Sequence, residues 1–415
     1  MRQRSMIKFG AVVVAGTLAL SACGSRDEEP ETTTTEGSTA ASGGEERTLK
    51  IGVIAPLSGD LSALGLGIQN SVDLAIQQAN ESGDLGGVTL ELAAEDDTAT
   101  PDVGQQAASA LADDEEIVGV VGTLNSSVAL SAAPVLNSAG IAMVSPANTN
   151  PTLTLGDDSI ENPARVWDTY FRTATTDNQQ GPFAAEYVFN ELGFTEVAII
   201  HDQKAYGEGL SRVFGETFTE LGGTVTTTEV INPDEDDFSA VAGAVAATNP
   251  QLVYYGGEYP QAGPLSAQLD DAGLTVPLMG GDGIYDGQFI ELGGADGDAA
   301  TSVGAPTTEL ESAADFVAAY EEAGFSEPYA AYGAYAYDSA NAIIEALKAA
   351  LAEDDAMEGA DLQAAVVEQM SSVEYDGATG TVSFDEYGDT TNKTLTVYAV
   401  EGGEFVPVST GEYQG

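Results

Sequence analysis

EIVGVVGTLNSSVALSAAPVLNSAGIAMVSPANTNP, residues 116–151, decides the fold class. It opens on a short apolar run rich in valine, closes with the run IAMV at 141–144, and between them SSVALSAAPVLNSAG spaces its apolar residues as a helix does. A strand, a helix and a second strand in this order lay the two strands parallel in one sheet, with helices covering its faces. Open sheets of this kind bind ligands in the loops at the carboxyl ends of their strands. Here those loops are TLNSS, residues 123–127, and SPANTNP, residues 145–151. Both lack charge and are rich in hydroxyls and amides, in a chain whose formal net charge is -55.

The same alternation extends in both directions. TLKIGVIA at 48–55 is a strand, and the next segment puts Ile68, Val72, Ala75, Ile76 and Ala79 on one helical face. VTLELAAED, a strand, and PDVGQQAASALAD, a helix, follow. A second series then runs GPFAAEYVFNELG, EVAIIHD, YGEGLSRVFGETFTELGG, TVTTTEVI, DFSAVAGAVAA, QLVYYGG, PLSAQLDDAG and VPLMGG, helix and strand in turn. Beyond it come the helices ADFVAAYEEAG, YDSANAIIEALKAAL and LQAAVVEQM, then the strands TGTVSFD and LTVYAVEG around the turn-rich EYGDTTNK. Two similar α/β series in 415 residues predict two lobes. Further strand-end loops are HDQKAYGEG, EYPQAG and GDG. The serines opening SSVALSAAPVL stand where first-turn N–H groups and the positive end of the helix dipole favour an anion. A carboxylate can be held there by backbone and hydroxyl donors, without an arginine.

Composition narrows the function. Lys and Arg total 12 against 67 Asp and Glu, and Arg2, Arg4 and Lys8 sit at the extreme N-terminus. Too few cations remain for nucleic acid, whose binding needs them clustered. The acids are scattered and match no Ca²⁺ loop, so they read as a solvated carboxylate shell of the kind that suits high salt. Apolar residues make up 43%, enough to bury large cores. Residues 1–22 read as an export signal: three cations, the apolar run FGAVVVAGTLAL, too short to span a membrane, and then LSAC. LSAC resembles the bacterial lipoprotein box, which implies a lipid on Cys23, the chain's single cysteine. Residues 23–47, mostly Gly, Ser, Thr and Glu, read as a flexible tether. His201, the single histidine, lacks the neighbours that catalysis or a metal requires and reads as structural. The acids of NPDEDDFSA read as helix caps, and GLG at Gly65 lacks the rest of a dinucleotide fingerprint. No metal, cofactor or catalytic motif is expected, and the chain does not read as an enzyme.

IGVIAPLSGD, VVGTLNSS, SPANTNP, IIHDQKAYGEGL, DFSAV, LVYYGGEYPQAG and LMGGDG together resemble the branched-chain amino-acid binding proteins of bacterial ABC transporters. The resemblance runs from about residue 49 to about residue 397. It implies the two-lobed α/β type I periplasmic-binding fold: lobe I from 48–175 and 307–378, lobe II from 176–306 and 379–415, joined by three hinge crossings. It implies a ligand carboxylate on Ser126, the backbone of Ala147, and Thr149, with the ammonium on Asp282. Tyr206 would hydrogen-bond the ligand or close over it, and Leu64, Leu124, Asn125 and Tyr329 would enclose its side chain. Asp282 is an aspartate where glutamate is common in the family, and two further departures matter more: Leu64, where an aromatic is frequent, and Glu258, where tyrosine is. Glu258 could help hold the ammonium, select a polar or cationic side chain, or face water. The implied protein is a monomeric lipoprotein outside the membrane, delivering a neutral aliphatic amino acid to permease subunits with cytoplasmic ATPases. The alternatives are a receptor for a short amide, urea or polar amino acid, and, more remotely, an exported hydrolase. A sensory ectodomain is disfavoured, because no membrane-spanning segment follows the last strands.

Overall fold

The computed structural model describes residues 47–413. The export signal at 1–22, Cys23 and the tether up to residue 46 lie outside the described residues. Five strands form the first sheet: β1 Arg47–Ala55, β2 Val88–Asp96, β3 Ile117–Gly122, β4 Met143–Ser145 and β5 Tyr170–Arg172, in the spatial order β2-β1-β3-β4-β5. Every neighbouring pair is parallel. Its crossovers hold α1 Ser62–Ser82, α2 Pro101–Ala112, α3 Ser126–Ala139 and the short α4 Thr152–Leu155.

The chain then builds a second sheet. α5 Asp177–Glu186, β6 Glu196–His201, α6 Ala205–Glu220, β7 Thr224–Val230, α7 Ser239–Ala246, β8 Leu252–Gly256, α8 Tyr259–Asp271, β9 Leu278–Gly280, α9 Gly287–Leu292 and β10 Ala299–Ser302 follow in sequence. α10 Ala314–Ala323, α11 Gly333–Glu353 and α12 Gly359–Met370 return to the first sheet, where Gln363 Nε2 donates to Ile117 O over 2.9 Å. A hairpin of β11 Glu374–Gly377 and β12 Gly380–Ser383 leads to β13 Leu395–Glu401 and β14 Glu404–Gly411. These last two complete the second sheet in the order β14-β13-β10-β9-β8-β6-β7, antiparallel between β14 and β13 and between β13 and β10, and parallel elsewhere.

Burial explains the run IVGVVG. All six residues of β3 are buried, as both faces of a helix-covered parallel strand must be. Glycine at 119 admits α11, since a Cβ there would stand 2.8 Å from Ile343 Cγ2. The five residues assigned to one face of α1 are all buried. Gly65 of the GLG triplet also has a packing reason: a Cβ would meet the Pro56 carbonyl oxygen at 2.0 Å. β5, β10, β11 and β14 were not foreseen, being three to eight residues long with polar or charged members. α11 starts at Gly333, four residues before the stretch that signals it, and α5 runs on into a π turn at Tyr187–Glu191.

Candidate functional site

The strand-end loops of the two sheets meet across a narrow cleft. From the first sheet come Leu64, Leu124, Asn125, Ser126 and Ala147; from the second, Tyr206, Glu258, Asp282 and Gly283; and from the turn before α11, Tyr332. They enclose about 20 Å³, room for little more than a water molecule. A larger depression of about 550 Å³ near Leu155, Pro182 and Val213 contains none of these loop residues.

On the first-sheet side, α3 begins at Ser126, and the Asn125 side chain does not cap it. Ser126 is therefore the first helical residue, not the cap. The Ala147 and Asn148 N–H groups donate to Ser145 Oγ over 3.2 and 2.9 Å, the first a long bond that a stronger acceptor can replace. Ser145 Oγ in turn donates to Thr123 O over 3.0 Å. The asparagines of SPANTNP hold the loop itself: Asn148 Nδ2 donates to Leu124 O over 2.8 Å, and Asn150 Nδ2 reaches Ala205 O of α6 over 2.7 Å.

A cation does stand behind this loop. The fully buried Arg172 donates Nη1 to Asn148 O (2.8 Å) and Asn150 O (2.9 Å), Nη2 to Thr154, and Nε to Asp389 Oδ1 (2.6 Å). Thr149, expected to touch a ligand carboxylate, is fully buried and outside the lining. Its carbonyl accepts from Asp177 N over 2.8 Å. Its hydroxyl lies beside the Asp177 carboxyl without a well-formed hydrogen bond. The loop is thus held on both sides of Thr149 by Arg172, and at Thr149 itself by the Asp177 N–H.

The second-sheet side presents Asp282, 3% exposed. Its Oδ1 accepts from Tyr206 Oη at 2.8 Å and Gln180 Nε2 at 2.9 Å, and its Oδ2 from Tyr332 Oη at 2.7 Å. Burial raises the Asp282 carboxyl above the ordinary range, opposed by these three donors. Oδ2 has one donor and room for another. Asp177, buried and facing the Asp282 charge, is pushed up to about 8.

Glu258 does not face water. It is 6% exposed, with Oε1 accepting from Asn125 Nδ2 and Oε2 paired with Lys204 Nζ at 2.6 Å. Asp97 and Asp202 stand near it. Burial pushes each of them up to about 7, and the Glu258 charge adds to the rise.

The two sheets thus converge their loops on one cleft and place a hydroxyl-rich helix start opposite a buried acid. The family model described as periplasmic binding protein matches residues 48–404. The chain belongs to the periplasmic binding protein family. A Leu/Ile/Val-binding protein of Rhizobium johnstonii is 34% identical over 364 residues, 86% of this chain and 93% of the relative. A Leu/Ile/Val-binding protein homolog of Brucella melitensis is 30% identical over 86% of this chain and 93% of its own length. The crystal structure of a leucine binding protein from Thermotoga maritima superposes with a TM-score of 0.75 at 28% identity, covering 87% of this chain and 98% of that one. The architecture is thus the type I periplasmic-binding fold.

In this family member, eight of the ten anticipated ligand residues line the cleft: Leu64, Leu124, Asn125, Ser126, Ala147, Tyr206, Glu258 and Asp282. Thr149 and Tyr329 do not. Tyr329 packs its ring at 5.4 Å from Phe316 and 5.6 Å from Tyr320, and the tyrosine that reaches Asp282 is Tyr332. YAAYGAY spaces three tyrosines by three, so which one faces the cleft depends on where α11 starts. Gln180, Lys204 and Arg172 also escaped the sequence reading. Gln180 has no local signal. For Lys204 the signal was scarcity: it is one of 12 cations in the chain and lies in a strand-end loop. His201 sits at the end of β6, where its Nδ1 accepts from Gln203 N over 3.2 Å.

Proposed function

We propose that this periplasmic binding protein captures an amino acid with a neutral aliphatic side chain and delivers it to the permease of an ABC importer. The reading rests on the separation of charge preference across the cleft. Asp282 offers a carboxylate oxygen with spare acceptor capacity, and opposite it the uncapped start of α3 offers neutral donors. A zwitterion fits that polarity. Its carboxylate would take Ser126 and the Ala147 N–H, its ammonium Asp282 Oδ2, and its side chain the apolar flank of Leu64 and Leu124. The likeness to the Leu/Ile/Val-binding protein of Rhizobium johnstonii and its Brucella melitensis homolog favours leucine, isoleucine or valine as the class.

Because the cleft has room for little more than water, admission of the ligand requires the two sides to part. We take the moving bodies to be residues 48–175 with 307–378, and 176–306 with 379–415. Closure then makes contacts that the open form lacks, so bound ligand favours the closed form. The permease, with its cytoplasmic ATPases, would read that closure. A lipid on Cys23 would tether a monomer to the outer face of the membrane.

Calorimetry of the mature protein with leucine, isoleucine, valine, glutamate, lysine and urea tests the reading. Heat only from the neutral aliphatic amino acids is expected. Heat from urea alone would overturn it, and turnover of any compound would make the protein an enzyme.

A further inference from the structure

Glu258 is a carboxylate in the wall of a cleft assigned above to neutral side chains. Such a group should attract cationic ligands or carry a large desolvation cost. Both of its oxygens, however, are engaged by the protein. Oε1 accepts from Asn125, across the cleft, and Oε2 from Lys204 Nζ at 2.6 Å. Lys204 is not part of the cavity wall. It approaches from the residue preceding α6, with its side chain 30% exposed. It is the cation the structure shows in contact with Glu258, and it also stands 4.0 Å from Asp202 Oδ2. Asp97, from the opposite side, adds a third acid to the group.

We propose that Lys204 is a built-in counter-ion that sets side-chain specificity: by pairing with Glu258 it neutralises that carboxylate of the pocket wall and excludes amino acids with cationic side chains. The inference rests on the amino-acid reading above and deepens it. With Lys204 removed, an ionised Glu258 keeps one neutral donor, Asn125, in the company of Asp97 and Asp202. A cation supplied by a ligand side chain then becomes the partner that best satisfies it. With Glu258 neutralised instead, Lys204 is left beside the cleft and draws an anionic side chain.

The test is calorimetry of wild type, Lys204→Met, Glu258→Gln and the double variant with leucine, lysine and glutamate at one salt concentration, each variant checked by thermal unfolding. In Lys204→Met the lysine-to-leucine affinity ratio should rise about tenfold or more, the value of one charge-assisted hydrogen bond. In Glu258→Gln the glutamate-to-leucine ratio should rise by a similar factor, and the double variant should return to the wild-type order. A folded Lys204→Met protein with the wild-type ratio overturns the proposal; if that variant does not fold, an unmoved ratio in Glu258→Gln does so. Absence of leucine heat in wild type sinks the functional reading alone. Lysine heat that appears only after Lys204→Met would still support the counter-ion role.

Discussion

Tyr332 Oη lies 2.7 Å from Asp282 Oδ2, joining the turn before α11 to the end of β9. α11 packs on the first sheet and β9 belongs to the second, so this hydrogen bond spans the cleft. Asn125 to Glu258, Asn150 to Ala205 and Tyr259 to Asp60 also span it. In the functional reading, the Asp282 carboxylate serves two partners, the ligand's ammonium and the opposite wall.

Asp282→Asn keeps the shape of the site and removes its charge. Leucine affinity should fall by about tenfold or more, since a charge-assisted bond becomes a neutral one. Tyr332→Phe removes one closing contact and should cost less. Calorimetric dissociation constants that rank the two in reverse would place the ammonium elsewhere.

Arg172 ties the SPANTNP loop to Asp389 from a fully buried position. Removing one partner of a buried ion pair leaves an uncompensated charge. Arg172→Met should therefore lose about 3–5 kcal/mol of stability in urea unfolding. Arg172→Met with Asp389→Leu should lose less than the single change. Equal losses would mean that the pair itself is not what the single variant breaks.

Buried acids predict how stability depends on pH. Burial raises Asp177 to about 8, Asp97 to about 7 and Asp338 to about 6. Each binds its proton more tightly in the folded than in the unfolded chain, so the folded state carries more protons between about pH 4 and these values. Stability is thus highest at the acidic end of that window and falls as pH rises through it. Thermal unfolding from pH 5 to pH 8.5 should show a falling Tm, with a shallower slope in Asp177→Asn. A Tm that climbs toward pH 8 would contradict this.

A net charge of -55 opposes the compact state through self-repulsion. Raising sodium chloride from about 0.1 to about 1 M shortens the Debye length from about 10 to about 3 Å. The Tm should rise over that range. A flat response would mean that the acids lie too far apart to repel one another.

What the sequence made legible follows from where its signals are local. Runs such as IVGVVG announce a strand buried on both faces, and the loop after each strand is a ligand candidate by topology alone. Topology marks the loops that carry Ser126, Ala147 and Asp282, the family resemblance singles out those residues within them, and the structure puts all three in one wall or the other of the same cleft. Thr149 lies in the same loop as Ala147 but is fully buried outside the lining, where the loop's carbonyls accept from Arg172 and Asp177, 22 and more residues further along the chain. Tyr332 displaces Tyr329 because a helix start cannot be fixed to within a turn by composition. Glu258 was visible as an anomaly, but its meaning lay in Lys204, 54 residues away. Contacts at that separation leave no trace in spacing or period.

A crystal structure grown with leucine measures the central claim directly. The expected result is a leucine in the cleft with its carboxylate on Ser126 and the Ala147 N–H and its ammonium within hydrogen-bond distance of Asp282 Oδ2. A leucine bound outside this cleft, or one whose carboxylate pairs with Lys204, would contradict it.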